Sequence, residues 1–96
     1  MTDANATPDN KPDHKLEEGE GYNDALKRLL GKYSIHIGSK YEADILSCAA
    51  VYYADKRTAE VLADLYNNSE PPFHASVEQS RLLSKKFSHR VMLNWR

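Results

Sequence analysis

Ile45-Leu46-Ser47-Cys48-Ala49-Ala50-Val51-Tyr52-Tyr53-Ala54 is a run of ten residues without charge, glycine or proline. A helix that is apolar nearly all round has to be covered on more than one side. Read with its flanks, residues 39–66, the run predicts one long central helix. Ser39-Lys40-Tyr41-Glu42 opens it with the S-x-x-E pattern of a capping box, in which a side chain at each end satisfies an amide of the first turn. Tyr41, Ile45, Cys48, Tyr52, Ala59, Leu62, Ala63 and Tyr66 then fall on one face at 3.6 residues per turn. The register carries across the charged Asp55-Lys56-Arg57. A break at Asp55 would give two shorter helices with the same stripes. Asn67-Asn68-Ser69-Glu70-Pro71-Pro72 ends the element, because proline cannot continue a helix.

Two further helices are expected. Tyr22, Leu26, Leu29, Leu30 and Tyr33 form an apolar stripe at helical spacing, weakened at its end by Gly31. Ser34-Ile35-His36-Ile37-Gly38 alternates apolar and polar residues and reads as an extended strap. With no second strand candidate nearby, a sheet is not expected. Toward the C-terminus, Leu83, Phe87, Val91 and Trp95 step by four, and Ser76-Val77-Glu78-Gln79 resembles a second capping box. These predict a helix over about residues 75–94. The fold expected is therefore all-α, a small domain of three helices, or four if the central helix breaks.

Residues 1–20 contain Pro8, Pro12 and Gly19, with Leu16 the one large aliphatic residue after Met1. Such a segment buries too little surface to offset its ordering entropy. The domain organisation expected is a flexible acidic tail over 1–20 and a helical domain over 21–96. The charge is divided to match. Six acids face two bases in residues 1–20, whereas Glu78 alone faces Arg81, Lys85, Lys86, Arg90 and Arg96 in residues 71–96.

The net charge of −1 gives no global attraction to nucleic acid or anionic membrane. The amino-terminal segment has no apolar core of a secretory signal, and no apolar run is long enough to span a bilayer. A single cysteine allows no internal disulfide and fits a reducing compartment, so a cytoplasmic location is expected. No phosphate-binding loop, nucleophile elbow or H-E-x-x-H motif is present. His14, His36, His74 and His89 share no metal-ligand spacing, and Cys48 sits within an apolar face. Asp44 and Asp55 could in principle form an acid/base pair. They read more simply as partners of Lys40 or Arg57, or as a mark of a helix break. The expectation is a protein without enzymatic activity, cofactor or metal.

Leu46 and Tyr53, seven residues apart, fall on the otherwise charged side of the expected central helix, where no neighbouring helix needs them. With Tyr52 and Trp95 they are the candidate partner-binding residues. Tyrosine is enriched where an apolar surface keeps one wet end. The function expected is a protein–protein interaction module, homo-oligomeric and regulatory, inhibitory or assembling in role. The alternative is nucleic-acid binding, with Arg81, Lys85, Lys86 and Arg90 on the C-terminal helix neutralising phosphates.

Overall fold

The computed structural model describes residues 13–68, 73–80 and 85–95. Its elements follow in the order α1 (Tyr22–Leu30), β1 (His36–Ile37), α2 (Lys40–Leu46), β2 (Ala50–Ala54), α3 (Lys56–Asn67), β3 (Phe73–Gln79), a 3-10 turn (Lys85–Phe87) and β4 (His89–Trp95). The four strands form one antiparallel sheet in the order β1-β2-β4-β3. The fold is therefore mixed α/β, and the all-α helical bundle expected from the sequence is corrected.

The two long helices of that expectation fail for different reasons. The uncharged run does not continue a helix. Its second half is β2, and Asp55 caps the separate helix α3 by accepting the Thr58 amide. A strand buried on both faces and a helix buried all round both read as continuous apolar sequence. Here the branched and aromatic Val51-Tyr52-Tyr53 favours the strand. The C-terminal helix is a hairpin of β3 and β4, with Ala75 opposite Leu93 and Val77 opposite Val91. Residues four apart lie on one face of a strand as well as of a helix, so the Phe87, Val91, Trp95 spacing could not separate the two. The 34–38 segment is extended, as its alternation predicts, but its centre pairs with β2, so the expectation that it joins no sheet is corrected.

Local signals do hold where hydrogen bonds close within a few residues. Ser39 Oγ accepts from the Glu42 amide at 3.1 Å, and Glu42 Oε1 accepts from the Ser39 amide at 2.6 Å. Gly31, at φ 77°, ends α1 and donates its N–H to the Lys27 carbonyl. A side chain would be strained at that φ.

Both β2 and β3 run antiparallel to β4, so they run parallel to each other with β4 between them. α3 makes the connection and packs on the sheet, and α1 packs on α3. This explains why α3 is apolar on more than one side. The main core joins Leu26, Val61, Leu62 and Leu65 of the helices to Ala54, Val91, Leu93 and Ala75 of the sheet. A fully buried Leu65 or Val91 contributes about 1.5–3 kcal/mol of burial free energy. The opposite face of the sheet carries a smaller core of Val51, Tyr53 and Met92, covered by Leu46, Cys48 and Phe87.

Residues 13–20 are not a free tail. His14 Nδ1 lies 2.7 Å from Asp64 Oδ2, with both groups buried, and Asn68 Nδ2 donates to the His14 carbonyl. Leu16 packs on the main core. Arg28 donates to Glu20 and to the Lys15 carbonyl, which holds the segment to α1. The part of the expected tail over residues 1–12 lies outside the described residues.

Candidate functional site

Residues of α1, the 31–37 segment, β2, α3 and the 3-10 turn enclose an open groove of about 1610 Å³. Small-molecule pockets run to about 300–1,000 Å³, so the groove suits a longer ligand. Its inner surface is aromatic. The Tyr22 and Tyr66 rings stack with centroids 4.2 Å apart, and Tyr52 follows on Tyr66 at 6.4 Å. Burial raises the Tyr66 phenol, and the neighbouring Tyr52 hydroxyl raises it further. Tyr33 Oη, also in the lining, lies 3.3 Å from Asn23 Oδ1 and ties the 31–37 segment to α1. Lys27, Lys32 and Lys86 add three ammonium groups, and Asp24 and Asp55 two carboxylates.

The groove is bordered by β1, an edge strand. His36 is paired with Tyr53, and the Gly38 amide donates to the Val51 carbonyl. Alternation along a strand then turns the amide and carbonyl of Ile35 and Ile37 away from β2. Among the described residues, no element pairs with that outer edge. The Ile37 side chain, on the same face as Tyr52, is 69% exposed. The far edge of the sheet is treated differently. Asn67 of α3 donates to the Ala75 carbonyl at 3.0 Å and accepts the Ala75 amide at 2.7 Å. That side-chain amide occupies the place a further strand would take on β3, a way of blunting an edge.

The residues singled out from the sequence are scattered by the fold. Tyr52 lines the groove. Tyr53, its neighbour on the strand, points to the opposite face and is 6% exposed. There burial, then the neighbouring Glu42 carboxylate, raises the phenol, whereas the Ser39 amide holds Glu42 below its ordinary value. His36 packs against Tyr53 and Phe87, each ring centroid 5.9 Å away. Leu46 lies in the same small core. The surplus helical surface that suggested Leu46 and Tyr53 as a docking pair does not exist, because they belong to different elements. Trp95 is exposed at the end of β4 against Phe73, at a centroid distance of 4.6 Å.

The basic row of the expected C-terminal helix is dispersed as well. Lys85 and Lys86 are exposed on the 3-10 turn, and only Lys86 lines the groove. Arg90 is on β4 with Nη2 2.7 Å from Glu78 Oε1. Arg81 lies outside the described residues. Asp44 pairs with Lys40 at 3.2 Å, and Asp55 serves as a cap, so neither stands in an acid/base pair. Burial raises the Cys48 thiol, whose Sγ donates to the Ala50 carbonyl at 3.3 Å. Among the described residues, no cluster of three or more His, Cys, Asp or Glu could hold a metal ion, and no helix is long and apolar enough to cross a membrane.

Sequence reasoning missed Ile35 and Ile37 as part of a sheet edge, although their alternation with polar residues was a strand signal. It also had no means of bringing Tyr22, Tyr52 and Tyr66 together from three elements. Comparison with protein families, curated proteins and solved structures finds no match to this chain.

Proposed function

We propose that this protein is a binding module without enzymatic activity that takes up an extended segment of a partner protein along the outer edge of β1. The observation that carries this reading is the open β1 edge beside the groove. An added strand would pair its backbone with Ile35 and Ile37, and every second side chain would meet the Ile37–Tyr52 face. Strand addition draws affinity from main-chain hydrogen bonds and specificity from alternate side-chain contacts. The Asn67 closure of the opposite edge supports the assignment to β1, because that edge is already occupied at Ala75.

The Ile37 amide points away from β2, so Ile37→Pro removes a donor from the outer edge without removing a bond of the sheet. Proline is tolerated on edge strands for this reason. The test is selection of a random peptide display library on the wild type and on the Ile37→Pro variant. Enrichment on the wild type, lost on the variant while its circular dichroism stays native, is expected. Enriched peptides binding both equally would refute strand addition at β1.

A further inference from the structure

We infer, resting on the strand-addition reading, that the segment taken up by β1 is an acidic one: apolar at alternate positions along the edge and carrying aspartate, glutamate or a comparable anion at its flanks. Lys27 comes from α1, Lys32 from the 31–37 segment and Lys86 from the 3-10 turn, yet all three line one groove. None of the three is ion-paired among the described residues, in contrast to Arg28, Lys40 and Arg90, which bind Glu20, Asp44 and Glu78. On the acidic side, Asp55 already accepts the Thr58 amide as the cap of α3. With Asp24 also in the lining, three ammonium groups stand against two carboxylates, one of them held as a cap, which leaves an excess of one positive charge around an apolar and aromatic surface. Placing such charges at the rim of a binding site steers a complementary partner and rejects a like-charged one.

The stacking of Tyr22 on Tyr66 favours a polypeptide over a single-stranded nucleic acid as the occupant. Base binding by stacking needs aromatic faces open to the ligand. Here the faces of Tyr22 and Tyr66 cover each other at an interplanar angle of 16°, with Tyr52 at 21° beyond. The faces that Tyr22 and Tyr66 turn to each other are closed to a base, whereas the strand edge beside them suits main-chain groups of a polypeptide. Ile37, beside them, continues the apolar strip that a strand can cover and a sugar-phosphate chain cannot.

The experiment compares three baits in the same peptide display library: wild type, the Lys27→Gln/Lys32→Gln/Lys86→Gln variant and Ile37→Pro. The wild-type pool should show acidic residues at least about threefold above the unselected library at positions flanking alternating apolar residues. A synthetic peptide of the enriched sequence should bind about threefold to tenfold more weakly at 0.5 M salt, since exposed charges are screened there. The triple variant should keep the apolar alternation and lose the acidic enrichment. Identical pools from the wild type and the triple variant would overturn the acidic partner and leave strand addition standing. A wild-type pool no richer than that of Ile37→Pro would overturn both. An oligothymidine serves as the competing probe. Salt-sensitive binding of it, abolished in the triple variant and unchanged in Ile37→Pro, would assign the groove to nucleic acid and overturn the proposal.

Discussion

Replacing His14 by alanine tests whether residues 13–20 belong to the folded domain. His14 is 7% exposed, and its Nδ1 lies 2.7 Å from Asp64 Oδ2 on the buried side of α3. The substitution removes a hydrogen-bond partner from a buried carboxylate and opens a space where the ring stood. Breaking one side of a buried charged pair costs about 3–5 kcal/mol at most. Loss of one hydrogen bond to a charged group costs about 1.5–3 kcal/mol. Asn68 still holds the residue-14 carbonyl, and water can enter beside Asp64, so the lower range applies. We expect a loss of about 2–3 kcal/mol. For a domain of this size each kcal/mol moves Tm by about 4–8 °C, so the midpoint should fall by about 8–24 °C. Urea denaturation followed by far-ultraviolet circular dichroism gives the free energy, and thermal melting gives Tm. Asp64→Asn, which keeps an acceptor of the same size, should cost less. A change in His14→Ala below about 0.5 kcal/mol, the level of an ordinary surface substitution, would show that the segment does not contribute to the fold.

Other perturbations address the edge, the 13–20 segment and the groove. A Cβ at Gly38 would collide with Val51 Cγ1, so Gly38→Ala should push β1 from β2 and cost about 1–3 kcal/mol in urea denaturation, with weakened amide protection at Gly38. The Arg28 hydrogen bond, then that of the Glu17 amide, holds Glu20 at about 2 against an ordinary 4.5. Because the folded value is lowered, that contact contributes fully above about pH 4.5 and is lost as pH falls through about 2. Carboxyl NMR titration should show this, and Arg28→Gln should return Glu20 toward 4.5. Tyr66 is raised by burial and then by the neighbouring Tyr52, so it should be late to ionise in an absorbance titration. Its contribution is present below the ordinary 10.0 and declines as pH rises above that toward the folded value, a loss that Tyr66→Phe should remove.

Much of the helical part was legible residue by residue. The stripe of Tyr22, Leu26, Leu29 and Leu30 became α1, and all four contribute to or pack on the main core. Ser39 and Glu42 became a capping box as read. The groove was legible only in fragments. Tyr52 was a candidate, and Lys86 was one for a different reason. Tyr22 and Tyr66 were read as stripe residues of separate helices, and Ile37 as part of a strap. Leu46 and Tyr53 were misread because their relation depended on a helical register that the chain does not adopt at Ala50–Ala54.

What the sequence determined alone is what a few neighbouring residues decide among themselves. A cap closes its hydrogen bonds over three residues, and an amphipathic helix displays its stripe within two turns. The identity of β2, β3 and β4 required the tertiary structure. The central strand β4 takes its hydrogen bonds from Ala50–Ala54 on one side and Phe73–Gln79 on the other. Its stability therefore depends on residues tens of positions away, and the same apolar letters can serve a helix or a buried strand until those partners are in place. The open edge of β1 has the same origin. Ile37 faces a groove rather than a neighbouring strand only because the sheet, ordered β1-β2-β4-β3, ends there.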